Sequence, residues 1–135
     1  MFLFSCSQVK TVKSFSCNNF FELQIDKKKG EIKADKNQKY FTVNFLYGFD
    51  EEVESFVNNK LVFSKCVMTK NSSDEIEFSF GYNYSHDNKN PILKLVSKKD
   101  NSCIDIEIPK KYKIIYLFKE NNKWKIRFSN VYYIN

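Results

Sequence analysis

An all-β fold, an antiparallel β-sandwich, is predicted for this 135-residue chain by three observations: period-two alternation recurs along it, short polar clusters separate the alternating segments, and strand-forming aromatics abound. Phe and Tyr number 14 and 8 against 3 Gly and 2 Pro, a composition that suits half-buried pleated surfaces and lacks the glycines of phosphate-binding loops. One domain of this length buries roughly two-thirds of its unfolded surface. Eight or nine short strands with polar connections fit a sandwich, with a closed β-barrel as the alternative.

Residues 9–135 are expected to form the single β domain, with 1–8 as a signal remnant or flexible N-terminus. Val9 to Asn19 is weakly patterned. Phe21, Leu23 and Ile25 then alternate with Glu22 and Gln24 as a strand, followed by a charged turn at Asp26 to Gly30 and a short return at Glu31 to Lys33. Tyr40 to Tyr47 is a strong strand, with Phe41, Val43, Phe45 and Tyr47 on one face. Gly48 to Leu61 reads two ways. Acidic residues at 50–52 suit a short helix near 50–58, but the Val- and Phe-rich runs around Asn58-Asn59-Lys60 favour a hairpin. Leu61 to Thr69 continues as a strand. Ile76, Phe78, Phe80, Tyr82 and Tyr84 alternate with polar residues as a long amphipathic strand. Two more strands are expected at Ile92 to Val96 and Cys103 to Ile108, closed by Pro109.

The C-terminal segment carries the clearest hairpin. Trp124, Ile126 and Phe128 alternate with Lys123, Lys125, Arg127 and Ser129, giving one buried and one wet face. Before it, Tyr112 to Lys119 carries apolar bulk on both faces and belongs at the centre of a sheet. Asn121 and Asn122 tolerate the positive φ angles of the tight turn between them. The expected core comprises Trp124, Ile126, Phe128, Tyr116, Phe118, Phe78, Phe80, Ile106, Val43 and Phe45.

At the N-terminus, Leu3-Phe4-Ser5-Cys6 resembles the lipobox of bacterial lipoproteins: an aliphatic residue three places before a Cys, and a small residue directly before it. The resemblance covers these four residues. It implies that Cys6 is the lipidated first residue of an exported protein held in the periplasm or at a membrane. The alternative location is cytoplasmic. No apolar run reaches the ~20 residues that span a bilayer, so membrane contact would come only through the lipid.

The four Cys, at 6, 17, 66 and 103, contain no CxxC pair, and no metal site is expected. With Cys6 lipidated, one disulfide at most forms among the other three. Cys66, within an apolar strand, reads as a small buried side chain, while Cys103 at a strand start is easier to bridge. The lone His86 stands beside Asp87 in a turn cluster, with no nucleophile motif attached. Glu75, Glu77, Asp105 and Glu107 read as a wet sheet face rather than a carboxylate pair. No catalytic residue and no cofactor is expected.

A net charge of +6, from 22 basic and 16 acidic residues, fits a solvated Lys-rich surface. Two groups of binding residues stand out. Lys123, Lys125 and Arg127 share the wet face of the Trp124 strand, with Tyr132 and Tyr133 beyond; basic residues with stacking aromatics suit single-stranded nucleic acid. Phe20, Tyr82, Tyr84, Tyr132 and Tyr133 suit a protein interface, where aromatics concentrate. The leading expectation is a non-enzymatic protein-binding module, such as a lipoprotein inhibitor or toxin-immunity protein. A nucleic-acid-binding β domain and a small barrel carrying an apolar ligand are the alternatives.

Overall fold

A computed structural model describes residues 7–13, 17, 19–26, 33–69 and 76–132. Among these described residues ten strands follow one another: β1 (Ser7–Lys13), β2 (Phe20–Asp26), β3 (Tyr40–Tyr47), β4 (Asp50–Val57), β5 (Lys60–Met68), β6 (Phe78–Asn83), β7 (Ile92–Ser97), β8 (Ser102–Glu107), β9 (Ile114–Glu120) and β10 (Lys123–Ser129). They form a six-stranded sheet, ordered β1-β2-β10-β9-β3-β6, and a four-stranded sheet, ordered β5-β4-β7-β8. The architecture is a sandwich and not a closed barrel, and the described residues contain no helix.

Local chemistry explains most of these elements. The two-residue turns Asn58-Asn59 and Asn121-Asn122 have positive φ at both positions, which Asn tolerates, so β4–β5 and β9–β10 close as tight hairpins. The 50–58 segment is thus strand and turn, and the helical alternative is excluded. β9 lies between β10 and β3 and is buried on both faces, as its doubly apolar pattern requires. Two pairings are parallel, β2 with β10 and β3 with β9, within an otherwise antiparallel fold.

Several expectations need correction. β1 forms in the weakly patterned region and takes in Ser7 and Gln8, two residues ahead of Val9, because pairing with β2 compensates for its poor local signal. The expected strand from Ile76 shortens to β6, and Phe78 and Phe80 are half-buried rather than buried because β6 is an edge strand. Of the return at Glu31 to Lys33, only Lys33 is described; it makes an isolated bridge to Val131.

The main core lies between the sheets and includes Phe21, Phe41, Val43, Phe45, Leu95, Ile104, Ile126 and the fully buried Trp124. Tyr116 and Phe118 are buried elsewhere, with Ile114 on the outer face of the six-stranded sheet under Leu46, Tyr47 and Ala34. Gly48 allows a close approach no other residue could make. Its φ is 90°, and a Cβ there would lie 1.7 Å from the Lys119 carbonyl oxygen.

Strand register separates the two ends of the sandwich. At one end Trp124 pairs with both Lys119 and Phe21, Ser97 pairs with Ser102, and the links β3–β4, β7–β8 and β9–β10 are short. At the other end the connections 84–91 and 108–113 are longer. A disulfide between Cys17 and Cys103, with Cα atoms 5.3 Å apart, ties the β1–β2 link of one sheet to β8 of the other at the first end. Cys66 is free and exposed, contrary to its expected burial. It sits on edge strand β5 opposite Glu52, while Phe63 and Val67 point inward.

Candidate functional site

Three separate parts of the chain meet at the end with the longer connections. The β4–β5 turn supplies Asn58, the 84–91 connection supplies Asp87, Asn88, Lys89 and Asn90, and the β7 start and β8 end supply Ile92 and Glu107; together they line an open cleft of about 850 Å³. Asn58 organises it. Its backbone N–H donates to the Ile92 carbonyl at 2.9 Å, and its side-chain oxygen accepts from the Ile92 N–H at 3.0 Å. Its amide nitrogen donates to Asp87 Oδ2 at 3.3 Å. The Tyr82 hydroxyl donates to the same carboxylate oxygen at 2.9 Å. Burial, then this hydrogen bond and the charge of Asp87, raise the Tyr82 phenol above its ordinary range, while Asn58 works the other way. Across the cleft, Asn90 donates to Glu107 Oε2 at 2.8 Å. The result is a polar recess with two carboxylates and three amides, its walls held by side-chain hydrogen bonds.

Behind the cleft lies a buried ammonium. Lys113 donates to the carbonyls of Gln38 and Lys110 at 2.9 and 2.7 Å and to the Tyr84 hydroxyl. All three acceptors are neutral. Lys110 in turn donates to the Asp87 carbonyl, linking this lattice to the cleft.

Of the residues expected to bind a partner, Tyr82 does not line the cleft itself but braces its Asp87 through the hydroxyl. Tyr84 does not reach the surface: it is 3% exposed, and its hydroxyl is committed to Gln38, Lys110 and Lys113. Phe20 and Tyr132 are exposed, at 55% and 38%. Tyr133 and Cys6 lie outside the described residues, as does Glu75. Lys123 is exposed on the outer face of β10. Lys125 lies between Glu120 at 2.7 Å and Glu22 at 3.5 Å, and its pairing with Glu120 raises its pKa. Arg127 lies 4.6 Å over the Phe118 ring and donates to Gln24 at 2.7 Å. Two of the three cations on that face therefore already have partners within the fold.

His86 is exposed beside the cleft's Asp87. The carboxylates are not brought together as a set: Glu77 precedes β6, whereas Asp105 and Glu107 belong to β8 in the other sheet. Asp105 is buried, Glu107 faces the cleft, and no group of three or more metal-ligating residues occurs among the described residues. Asn58, Asn88 and Asn90 escaped sequence reasoning because each reads as an ordinary turn residue. Their convergence depends on pairings between strands that the local pattern does not encode. The chain matches no family model, no curated protein and no solved structure.

Proposed function

We propose that this chain is a non-enzymatic protein-binding module whose recognition surface is the Asn58–Asp87–Glu107 cleft. The observation that carries the reading is the convergence of polar connections on one end of a rigid sandwich. Loops held by a scaffold are where recognition concentrates, and Asn side chains with a nearby Tyr give adaptable hydrogen bonding to a protein surface. The two carboxylates suit a Lys or Arg side chain of the partner. The internal pairing of Lys125 and Arg127 supports this reading over nucleic-acid binding, which needs several free cations acting together.

The Cys17–Cys103 disulfide supports an oxidising, exported location, as the lipobox-like residues do. An exported module anchored through Cys6, of the inhibitor or toxin-immunity kind, is the form of the proposal. The test is affinity capture from an extract of the source organism, comparing the full chain with the variant Asn88→Arg/Lys89→Glu. One stoichiometric protein captured by the former and lost by the latter is the expected result. A partner that both retain, or salt-sensitive oligonucleotide binding with no protein partner, would end the proposal.

A further inference from the structure

The two sheets differ by two strands, and the difference leaves an open place in the sandwich. Among the described residues the four-stranded sheet stops at β8, and residues of β8 share one groove with residues of β1 and β2 from the other sheet. That groove, of about 340 Å³, occupies this place. Its floor is apolar: Leu23, Ile106 and Phe128 lie at its base, and the half-buried Val12 and Ile25 continue it towards solvent. Tyr112, stacked on Phe128 with ring centroids 5.2 Å apart, closes one side. The volume falls within the ~300–1,000 Å³ usual for small-molecule sites.

Charge is distributed unevenly around the mouth. Lys10 and Lys111 are both exposed on the lining, and neither has a carboxylate at ion-pair distance among the described residues. The Lys111 ammonium lies 5.2 Å over the Tyr112 ring, at the edge of the apolar floor. Glu107 is the one acid on the lining, and its Oε2 is held by Asn90 on the cleft side.

An apolar channel with two ammonium groups at its mouth that have no ion-pair partner among the described residues complements one chemistry. We infer that this groove binds a single-chain anionic amphiphile, with the acyl chain along Val12, Leu23, Ile25 and Phe128 and the carboxylate between Lys10 and Lys111. Chain burial supplies the affinity, and the lysines select the head group. The groove adjoins the proposed protein-binding cleft, with Glu107 lining both, but its apolar floor and its two lysines are not part of that cleft, and the inference does not rest on the protein-binding reading.

Calorimetric titration of the oxidised full chain tests this, with octanoate, decanoate and dodecanoate each kept below its micellar concentration. Saturable one-to-one binding is expected, tightening roughly fourfold per added methylene until the chain outgrows the groove. Val12→Trp fills the groove and should abolish binding of all three while the melting temperature holds. Lys10→Glu/Lys111→Glu should weaken decanoate at least tenfold and leave decanol unchanged. Four results would overturn the inference: no saturable binding, affinity independent of chain length, a dodecyl trimethylammonium cation bound as tightly as dodecanoate, or binding indifferent to both variants. A co-purifying polypeptide that occupies the groove and resists displacement by the carboxylates would also overturn it.

Discussion

The two ends of the sandwich each bury a lysine, Lys119 on the core face of β9 and Lys113 directly before that strand, and they do so by opposite means. Lys119, 2% exposed, donates to Glu51 and Asp100, both at 2.6 Å, and lies 4.8 Å from the centre of the Trp124 ring. Trp124 donates to Ser102 at 2.8 Å, and Ser102 adjoins the disulfide at Cys103. This end is locked by charge and a covalent bond. Lys113, at the other end, is held by two carbonyls and a hydroxyl, with no carboxylate partner among the described residues. A buried charge paired with carboxylates makes a contact that is costly to break, whereas neutral acceptors distribute a smaller stabilisation over a hydrogen-bonded lattice. The rigid end restrains the sandwich, and the cleft occupies the end held more lightly.

The largest break in this contrast should come from the disulfide. It closes a separation of 86 residues, so replacing Cys17 and Cys103 by Ser should cost about 4.5 kcal/mol on the chain-entropy estimate, measured by urea unfolding. Lys119→Met should follow at about 3–5 kcal/mol, because Glu51 is left as a buried, unpaired carboxylate. Adding Glu51→Gln should recover part of that loss; no recovery would mean that the ion pair is not what the end depends on.

Acid should act at the same end with smaller effect. Desolvation raises the Asp100 pKa, but hydrogen bonds from Lys119 and Ser102 and the Lys119 charge outweigh it and lower the carboxyl from its ordinary 3.8 to about 2. A depressed carboxylate stabilises the fold above its unfolded value, and that contribution is lost as the pH falls through the folded one. Stability should therefore drop between about pH 4 and pH 2 by about 1 kcal/mol from this group, allowing for its solvent exposure. Asp100→Asn should flatten that part of the profile. At the lighter end, Tyr84→Phe removes one of three acceptors from Lys113 and should cost about 1 kcal/mol. Asn88→Ala, in the exposed cleft wall, should change stability by no more than about 0.5 kcal/mol.

Much of the fold was legible where one residue type imposes one geometry. Tyr40–Tyr47 alternates and is β3 to the residue, and both Asn pairs are the turns that their tolerance of positive φ implies. What escaped depends on distant pairing. β1 has little pattern of its own, and the parallel partners of β9 and β10 are set by the whole sheet. Cys66 looked buried because its neighbours are apolar, but edge strand β5 turns it outward. Lys119 shares a face with Ile115 and Leu117, which hinted at burial, yet nothing local pairs it with Glu51, 68 residues away. The cleft was the least legible, since its lining comes from segments that meet only in the folded chain.

The place of β9 and β10 at the middle of the six-stranded sheet has a consequence for the order of assembly. These strands follow all the other described strands, yet β2 and β3 join the rest of the sheet only by pairing with them. During synthesis the four-stranded sheet can form from β4, β5, β7 and β8 while the β1–β2 and β3–β6 pairs still lack the hairpin that joins them. Until Lys123–Ser129 leaves the ribosome, the apolar faces bearing Phe41, Val43 and Phe45 remain without their full cover, the condition in which nascent chains aggregate. A ribosome stalled before residue 123 should therefore carry a chain that chaperones hold, and release of the last strand should set the moment of folding.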